Sequence, residues 1–309
     1  MALNPREIAI LSGLLERLNT GRRPRVLLLG YPDILASPQS LAQAGVALNW
    51  EAIEKRPPRE ARQVWILAGR YELAHLPMLE ARALFRQLGG EPTISDAIAS
   101  GLEDIILDLN KPVEDTSLLG AFDLIVDPGT LEHCFNIAQA FDNVDRMLAP
   151  DGFIYHEAAA AFPNHGFWSI SPTAFFDFYE QRGYRLGRAY YWDGAVDSDG
   201  LIPRLAMAAP FEQQVPSDQN RIACYVFQKS VAPDGKTAEY PTQRKYAAAS
   251  RTLKVHDFIP GDTRIRGRDP YRNRRRDSLQ KMPALCGAVI ALLPVPLLRV
   301  LKRAALGRN

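Results

Sequence analysis

The chain has 309 residues, of which 47% are hydrophobic and 23% are charged. These proportions are typical of a globular protein, and they exclude a collagen-like, a largely disordered or a multi-span membrane chain. The three cysteines lie far apart in the sequence, which excludes a disulfide framework and a cysteine zinc site. The apolar stretch near the N-terminus contains acidic residues and has no small-residue cleavage site, so we expect a cytoplasmic protein.

The net charge of +2 is distributed unevenly along the chain. Residues 1–250 carry 23 basic and 31 acidic side chains, whereas residues 251–309 are strongly basic. Within this basic tail, the uncharged segment 282–298 is too short and too rich in proline for one straight spanning helix. We expect the tail to contact an anionic membrane surface, on the inner face of the membrane. Packing against the same chain or a second copy stays open, so a homo-oligomer is an alternative. Nucleic acid is disfavoured because the basic run 264–281 contains only one aromatic residue, Tyr271.

Hydrophobic periodicity in the first part of the chain predicts two helices and three strands. In chain order they are a helix over 5–19, a strand over 25–30, a helix over 76–88, and strands over 91–97 and 103–110. Between the first strand and the second helix, residues 31–60 have no clear period.

The second part of the chain continues the alternation of strands and helices. It contains a strand over 121–127, a helix over 130–148, a strand over 153–157, a helix over 171–184, and strands over 184–192 and 221–229. Such alternation predicts an α/β fold with a doubly wound, mostly parallel sheet. We therefore expect an N-terminal helix over 1–21, an α/β domain over 22–230 and a basic tail over 231–309.

Three predicted strands end at an aspartate: Asp96, Asp108 and Asp127. Ligands of open α/β sheets bind at the carboxyl ends of the strands, where carboxylates can hold ribose hydroxyls or an adenine amino group. Each aspartate alone is more simply explained as a loop cap, but three at successive strand ends predict a shared cleft.

The stretch FDLIVDPGTLEHCFNIAQAFDNVDRMLAPDGFIYH, residues 122–156, resembles class I S-adenosylmethionine-dependent methyltransferases. The resemblance extends over about residues 22–230 and implies S-adenosylmethionine as the cofactor. The later stretch NHGFWSISPTAFFDFYEQRGY resembles a subgroup that is associated with surface-glycan or secondary-metabolite gene clusters. By analogy, this implies methyl transfer to oxygen on a glycan or another small acceptor.

The family's layout also implies roles for five residues of this chain. Gly30 would lie beside the methionine part of the cofactor, and Asp96 would bind the ribose hydroxyls. Asp108 and Leu109 would lie beside the adenine. Asp127 would lie close to the methyl group.

The loop after the first strand departs from the family pattern. The family has an acidic residue followed by three glycines at alternate positions, whereas LLLGYPDIL contains only Gly30, with Asp33 as a candidate substitute for the acid. About sixty residues then precede the next predicted strand. The alternative function is therefore a non-catalytic methyltransferase-like scaffold that docks to a membrane or a protein partner through its tail.

Three residues are candidates for the chemistry of methyl transfer. His165 lies in a loop with glycine and aromatic residues, and we predict that it is the general base for a hydroxyl acceptor. Glu132 and His133 follow the fourth parallel strand and are predicted to orient groups or to face the cofactor. We expect no metal, although a site formed by Glu132 and His133 together with His156 and Glu157 is an alternative. Each histidine also has a purely structural interpretation.

Overall fold

The computed structural model describes residues 1–162, 164–196, 203–208, 221–230 and 240–243. The chain divides into two compact units, Met1–Arg266 and Gly267–Asn309, and the second unit lies outside the described residues. The apolar segment 282–298 and the basic tail that suggested a membrane partner also lie outside them. Among the described residues, no helix combines the length and the apolarity that a membrane crossing needs.

The described residues form ten strands and six α-helices. The strands are β1 (Ala2–Leu3), β2 (Arg25–Leu29), β3 (Asp33–Ile34), β4 (Glu91–Asp96), β5 (Ile105–Ile106), β6 (Phe122–Pro128), β7 (Leu148–Ala161), β8 (Arg185–Val196), β9 (Pro203–Ala208) and β10 (Arg221–Gln228). The helices are α1 (Pro5–Leu18), α2 (Pro38–Gln43), α3 (Pro58–Leu67), α4 (Ala81–Gln87), α5 (Ile137–Met147) and α6 (Pro172–Gln181).

Eight strands form the main sheet, in the order β5-β4-β2-β6-β7-β10-β8-β9. The strands from β5 to β7 are parallel, and β10, β8 and β9 are antiparallel to their neighbours. The chain runs outward from β2 through β4 to β5 and then returns to β6 on the other side of β2. The predicted doubly wound, mostly parallel sheet is thus confirmed, and its switch in strand order lies between β2 and β6.

Helices cover both faces of the sheet because neighbouring residues of a strand point to opposite faces. Val26 and Leu28 pack with α1 and with the segment between β2 and β4, whereas Leu27 and Leu29 pack with α5 and α6. The apolar side of α1 is fully buried in the first of these layers, so the N-terminal helix is part of the α/β core.

The predicted irregular segment 31–60 and the residues after it form an additional layer of helices. It contains α2 and α3, and the predicted helix over 76–88 is restricted to α4. Trp65 of α3 is fully buried and donates its indole N–H to the carbonyl oxygen of Leu76. The segment therefore packs on one face of the sheet through its own apolar side chains.

The predicted helix over 130–148 is interrupted. A short 3-10 helix at Leu131–His133 is followed by extended backbone at Cys134, and α5 then begins after Asn136. The side chain of Asn136 accepts a hydrogen bond from the backbone N–H of Gln139 and so caps α5. This break places the residues before α5 at the carboxyl edge of the sheet.

Candidate active site

The switch point of the sheet lies next to Gly30, directly after β2. Gly30 has a φ of +84°, which glycine adopts without strain, and its N–H donates to the carbonyl oxygen of Ser95 at 2.7 Å. A Cβ on Gly30 would lie 2.3 Å from Sδ of Met1 and 3.6 Å from Oγ1 of Thr130. The space above Gly30 is therefore filled by the thioether of Met1.

Thr130 connects the ends of β2 and β6 at this point. Its hydroxyl lies 2.6 Å from the carbonyl oxygen of Leu29 and 2.9 Å from Sδ of Met1. A hydroxyl has one proton, and the carbonyl is the stronger acceptor, so the sulfur faces an oxygen lone pair. Sequence reasoning did not single out Thr130, because a threonine in a loop carries no distinguishing signal.

The loop after Gly30 is held by Arg56. The guanidinium of Arg56 lies 4.3 Å from the ring centre of Tyr31, donates to the carbonyl oxygen of Pro32 at 3.1 Å and pairs with Asp33 at 2.7 Å. Burial raises the pKa of Asp33, although Arg56 opposes the shift. The candidate substitute acid is thus engaged by a structural partner.

The residues expected beside the ribose and the adenine lie at the ends of β4 and β5. Asp96 is half-buried, and its Oδ1 accepts from the backbone N–H of Ile98 at 3.2 Å. Asp108 accepts from the backbone and the side chain of Asn110, and these bonds lower its pKa. Leu109 is buried, and its carbonyl oxygen accepts from Asn143 at 3.0 Å.

Asp127 is fully buried and belongs to a group that we call the buried triad: Asp127, His156 and Tyr179. Asp127 Oδ2 lies 2.8 Å from Nδ1 of His156, and Nε2 of His156 lies 2.7 Å from the Tyr179 hydroxyl. Asp127 Oδ1 also accepts from the backbone N–H groups of Thr130 and Leu131. An aspartate with these partners is closed to a ligand in this structure, whereas the family's layout implied a place close to the methyl group.

The three residues predicted for the chemistry converge in a second group, which we call the open cluster: Glu132, His133 and His165. Glu132 Oε1 lies 3.7 Å from Nε2 of His165, and the rings of His133 and His165 are 5.3 Å apart. One donor atom of each residue lies within 4.8 Å of the other two. The side chain of Glu132 is 2% exposed and that of His165 is 37% exposed, so the cluster runs from the interior to the surface.

The loop that carries His165 is fixed against Glu132 by backbone hydrogen bonds. The N–H groups of Phe167 and Trp168 both donate to the carbonyl oxygen of Glu132, at 2.9 and 3.2 Å. A Cβ on Gly166 would lie 2.7 Å from that same oxygen, so this close approach needs glycine. The loop therefore holds His165 beside Glu132 through its main chain.

Aromatic side chains lie beside the open cluster. Phe135 and Phe167 meet edge to face with ring centres 5.5 Å apart, and Trp168 lies 6.3 Å from Phe135. All three are exposed, and the indole of Trp168 donates to the carbonyl oxygen of Cys134 at 3.0 Å. Exposed rings of this kind can pack against the apolar face of a sugar or another ring.

The electrostatics of the open cluster favour neutral groups. Burial and the nearby Asp127 raise the pKa of Glu132 to about 7. Burial lowers the pKa of His133, and His165 lowers it further. Burial also lowers the pKa of His165. At neutral pH the histidines are unprotonated and can accept a proton or bind a cation.

The alternative metal grouping with His156 and Glu157 is not assembled. His156 belongs to the buried triad, and the pKa of Glu157 is raised well above its usual range by burial and by Glu7. Glu7 in turn accepts from the Tyr155 hydroxyl at 2.7 Å. The strand alternation separates these residues, because His156 points to one face of the sheet and Glu157 to the other.

Comparisons with known proteins found matches among solved structures. No family model and no curated protein matches the chain, but solved structures do. A trans-methyltransferase, CalH, in complex with SAH is 15% identical with a TM-score of 0.33, and the match covers 73% of this chain and 55% of that one. A SAM-dependent methyltransferase from Archaeoglobus fulgidus is 11% identical with a TM-score of 0.38, covering 72% and 94%. The N-methyltransferase NodS from Bradyrhizobium japonicum WM9 is 15% identical with a TM-score of 0.36, covering 72% and 92%.

The chain spans about half the length of two matched structures, 55% of CalH and 48% of a further match, the CMeT domain of the citrinin polyketide synthase. Because these identities are low and the TM-scores are below 0.5, the doubly wound fold is assigned here from the strand order of the chain itself. In fold, the chain resembles solved S-adenosylmethionine-dependent methyltransferases.

Proposed function

We propose that this chain is an S-adenosylmethionine-dependent methyltransferase that methylates a hydroxyl group of a small acceptor, with sugars as the favoured class. The observation that carries the proposal is the meeting of three features at one edge of the sheet. Gly30 lies at the switch point, Asp96 ends the neighbouring strand, and the open cluster follows β6. Ligands of open α/β sheets bind at this edge.

The residues at the switch point fit the cofactor. The place that a Cβ would take on Gly30 holds the thioether of Met1, so this point accommodates the side chain of a methionine. The methionine part of the cofactor has a similar carbon chain, with a sulfonium in place of the thioether, and Met1 must move aside when it binds. Asp96 accepts a hydrogen bond from the backbone N–H of Ile98 at Oδ1. We expect its carboxylate also to accept hydrogen bonds from the ribose hydroxyls.

The residues of the open cluster then act on the acceptor. When bound, S-adenosylmethionine supplies an electrophilic methyl carbon, whose bond to sulfur breaks as a bond to the acceptor oxygen forms. His165 is one of the two exposed members of the cluster and takes the acceptor proton at Nε2, with the Glu132 carboxylate beside this nitrogen. The loop that fixes His165 against Glu132 keeps this geometry, and much of the catalysis comes from such positioning.

The exposed rings favour a ring-shaped acceptor. Phe135, Phe167 and Trp168 form an apolar surface next to His165 on which the flat side of a sugar can pack. A hydroxyl of that sugar would then lie within reach of the cluster. The methylation of oxygen on a glycan and the membrane surface inferred from residues 251–309 remain part of this proposal.

One structural observation favours the second candidate, a non-catalytic scaffold. Met1 lies against Gly30, and Arg56 holds the loop that follows, so the switch point is closed. If Met1 does not move, the cofactor has no access to Gly30. The scaffold would then act through its tail on a membrane or a protein partner.

Calorimetric titration of the full chain with S-adenosylmethionine, and separately with S-adenosylhomocysteine, distinguishes the two candidates. The enzyme should bind both at micromolar concentration. Asp96→Ala should weaken binding about tenfold or more, because it removes a charged hydrogen-bond acceptor.

The controls are chosen from the same elements. Glu91→Ala changes an exposed acid at the opposite end of β4 and should leave binding unchanged. His165→Ala should also leave cofactor binding unchanged, because we assign His165 to the acceptor. If neither ligand binds to a folded sample, the enzyme proposal is wrong and the scaffold takes its place.

A further inference from the structure

The open cluster has the composition and spacing of a metal site. It offers two imidazole nitrogens and one carboxylate oxygen, and its donor atoms all lie within 4.8 Å of one another. Ligands bound at 2.0 to 2.2 Å to one ion lie about 3 to 3.5 Å apart. The 3.7 Å between Glu132 Oε1 and His165 Nε2 is already close to that spacing.

The buried oxygen of Glu132 is a second, independent observation. Glu132 is 1% exposed, and among the described residues its Oε2 has no hydrogen-bond partner. Buried polar atoms are nearly always paired, and a buried carboxylate needs a cation or a proton. No lysine or arginine pairs with Glu132 among the described residues. The titratable groups near its carboxylate are the anionic Asp127, which repels a second negative charge, and the two histidines His133 and His165.

The two histidines can complete the site with small movements. The rings of His133 and His165 are tilted by 57° with their centres 5.3 Å apart, and both side chains reach solvent. Rotation about their side-chain bonds brings the nitrogens closer without moving the backbone. The backbone hydrogen bonds from Phe167 and Trp168 to the carbonyl oxygen of Glu132 hold the loop in place during this movement.

We propose that Glu132, His133 and His165 bind one divalent transition metal ion, with Zn²⁺ as the preferred class. Two nitrogens and one oxygen suit zinc and similar ions better than magnesium or calcium, which prefer oxygen ligands. Three protein ligands leave a position open, as in catalytic zinc sites.

The role of the metal rests on the proposed function, whereas its binding does not. The aromatic residues lie beside the cluster, and an acceptor hydroxyl bound to the open position of the metal would lose its proton more readily. With metal present, His165 is a ligand and the proton passes to water. Metal binding and cofactor binding can therefore be measured separately.

The experiment is a titration of the chelator-treated full chain with Zn²⁺ and with Co²⁺. Calorimetry measures the binding of both ions, and the visible spectrum reports the coordination of the Co²⁺ form. The expected result is one tightly bound equivalent and Co²⁺ bands of a low-coordinate nitrogen and oxygen site. Glu132→Gln, His133→Ala and His165→Ala should each weaken binding about a hundredfold or more.

His75 serves as the matched control, because it is exposed and lies far from the cluster in sequence. His75→Ala should keep the bound equivalent and the Co²⁺ spectrum. The proposal is overturned if the chain binds no metal, or if His75→Ala loses as much affinity as His165→Ala.

The same samples separate this inference from the proposed function. Metal-free protein that binds S-adenosylhomocysteine but no metal would refute the metal site and leave the methyltransferase proposal intact. Protein that binds one metal through these residues but no S-adenosylhomocysteine would support the metal site and refute the methyltransferase proposal. His165 is exposed, so its variant is expected to fold, and circular dichroism checks this.

Discussion

The buried triad and the open cluster are neighbours that contain similar residue types in opposite situations. In the triad, an aspartate, a histidine and a tyrosine pair in series at 2.7 to 2.8 Å with no exposure. In the open cluster, a glutamate and two histidines lie close together, but one carboxylate oxygen is unpaired among the described residues and the histidines reach solvent. Paired groups stabilise the fold, and unpaired groups are available for binding and catalysis.

Breaking the buried triad should have the largest effect on stability. Asp127→Ala leaves His156 buried without its partner and removes the acceptor for two backbone N–H groups, so we expect a loss of about 3 kcal/mol or more in the free energy of unfolding. His165→Ala should change the free energy of unfolding by about 0.5 kcal/mol or less. Urea denaturation followed by circular dichroism measures both. Equal losses in the two variants would show that the division into structural and open groups is wrong.

A smaller effect is expected from a methyl group at Gly166. In Gly166→Ala the new Cβ would meet the carbonyl oxygen of Glu132 at 2.7 Å, so the loop that carries His165 must shift, at a cost of about 1 to 3 kcal/mol. The variant should also lose the Co²⁺ spectrum of the open cluster.

Gly13→Ala is the matched control for Gly166→Ala. Gly13 lies inside α1, and a Cβ there would meet no atom within 4 Å. Alanine favours the helix by about 1 kcal/mol over glycine, so this variant should be more stable than the parent. If Gly166→Ala is equally well tolerated, the close contact between loop and Glu132 does not hold the cluster together.

The smallest expected effect per pH unit concerns Glu157, whose pKa is raised by burial and by Glu7. Because the pKa of this carboxyl is higher in the folded chain than in the unfolded chain, the folded chain binds its proton more tightly. The resulting stability is present at acidic pH and should be lost as the pH rises above the ordinary pKa of a glutamate, by at most about 1.4 kcal/mol per pH unit.

Glu157→Gln removes this titration, so its stability should depend less on pH, and urea denaturation at several pH values measures the slope. Glu16→Gln, an exposed change on α1, should keep the slope of the parent. An unchanged slope in Glu157→Gln would mean that Glu157 is ionised in the folded chain.

The sequence was informative where periodicity alone determines the structure. The alternation of apolar strands with amphipathic helices predicted the sheet from β2 to β7, with α5 and α6 close to their observed positions. The alternation predicted less between β2 and β4, where α3 begins at the second of two consecutive prolines and has few apolar residues on a regular face. There the structure depends on long-range packing of residues such as Trp65.

The same limit applies to the candidate site. Glu132, His133 and His165 were each identified from their places after strands and in a glycine-containing loop. Their convergence depends on the backbone hydrogen bonds from Phe167 and Trp168 to Glu132, which is far from them in sequence. Asp127 was read as a ligand because it ends a strand. Strand alternation places it on the same face as Ile125, under α5 and α6, and this signal could have predicted its burial.

The measurement that tests the central claim most directly is a crystal structure of the full chain grown with S-adenosylhomocysteine. The account predicts the ligand at the carboxyl ends of β2 and β4, with Met1 displaced from Gly30, Asp96 on the ribose and the buried triad unchanged. Ligand bound instead in the cleft of about 640 Å³ near Arg25 and Glu91, at the opposite edge of the sheet, would contradict it. So would crystals in which Met1 stays on Gly30 and no ligand binds at the switch point.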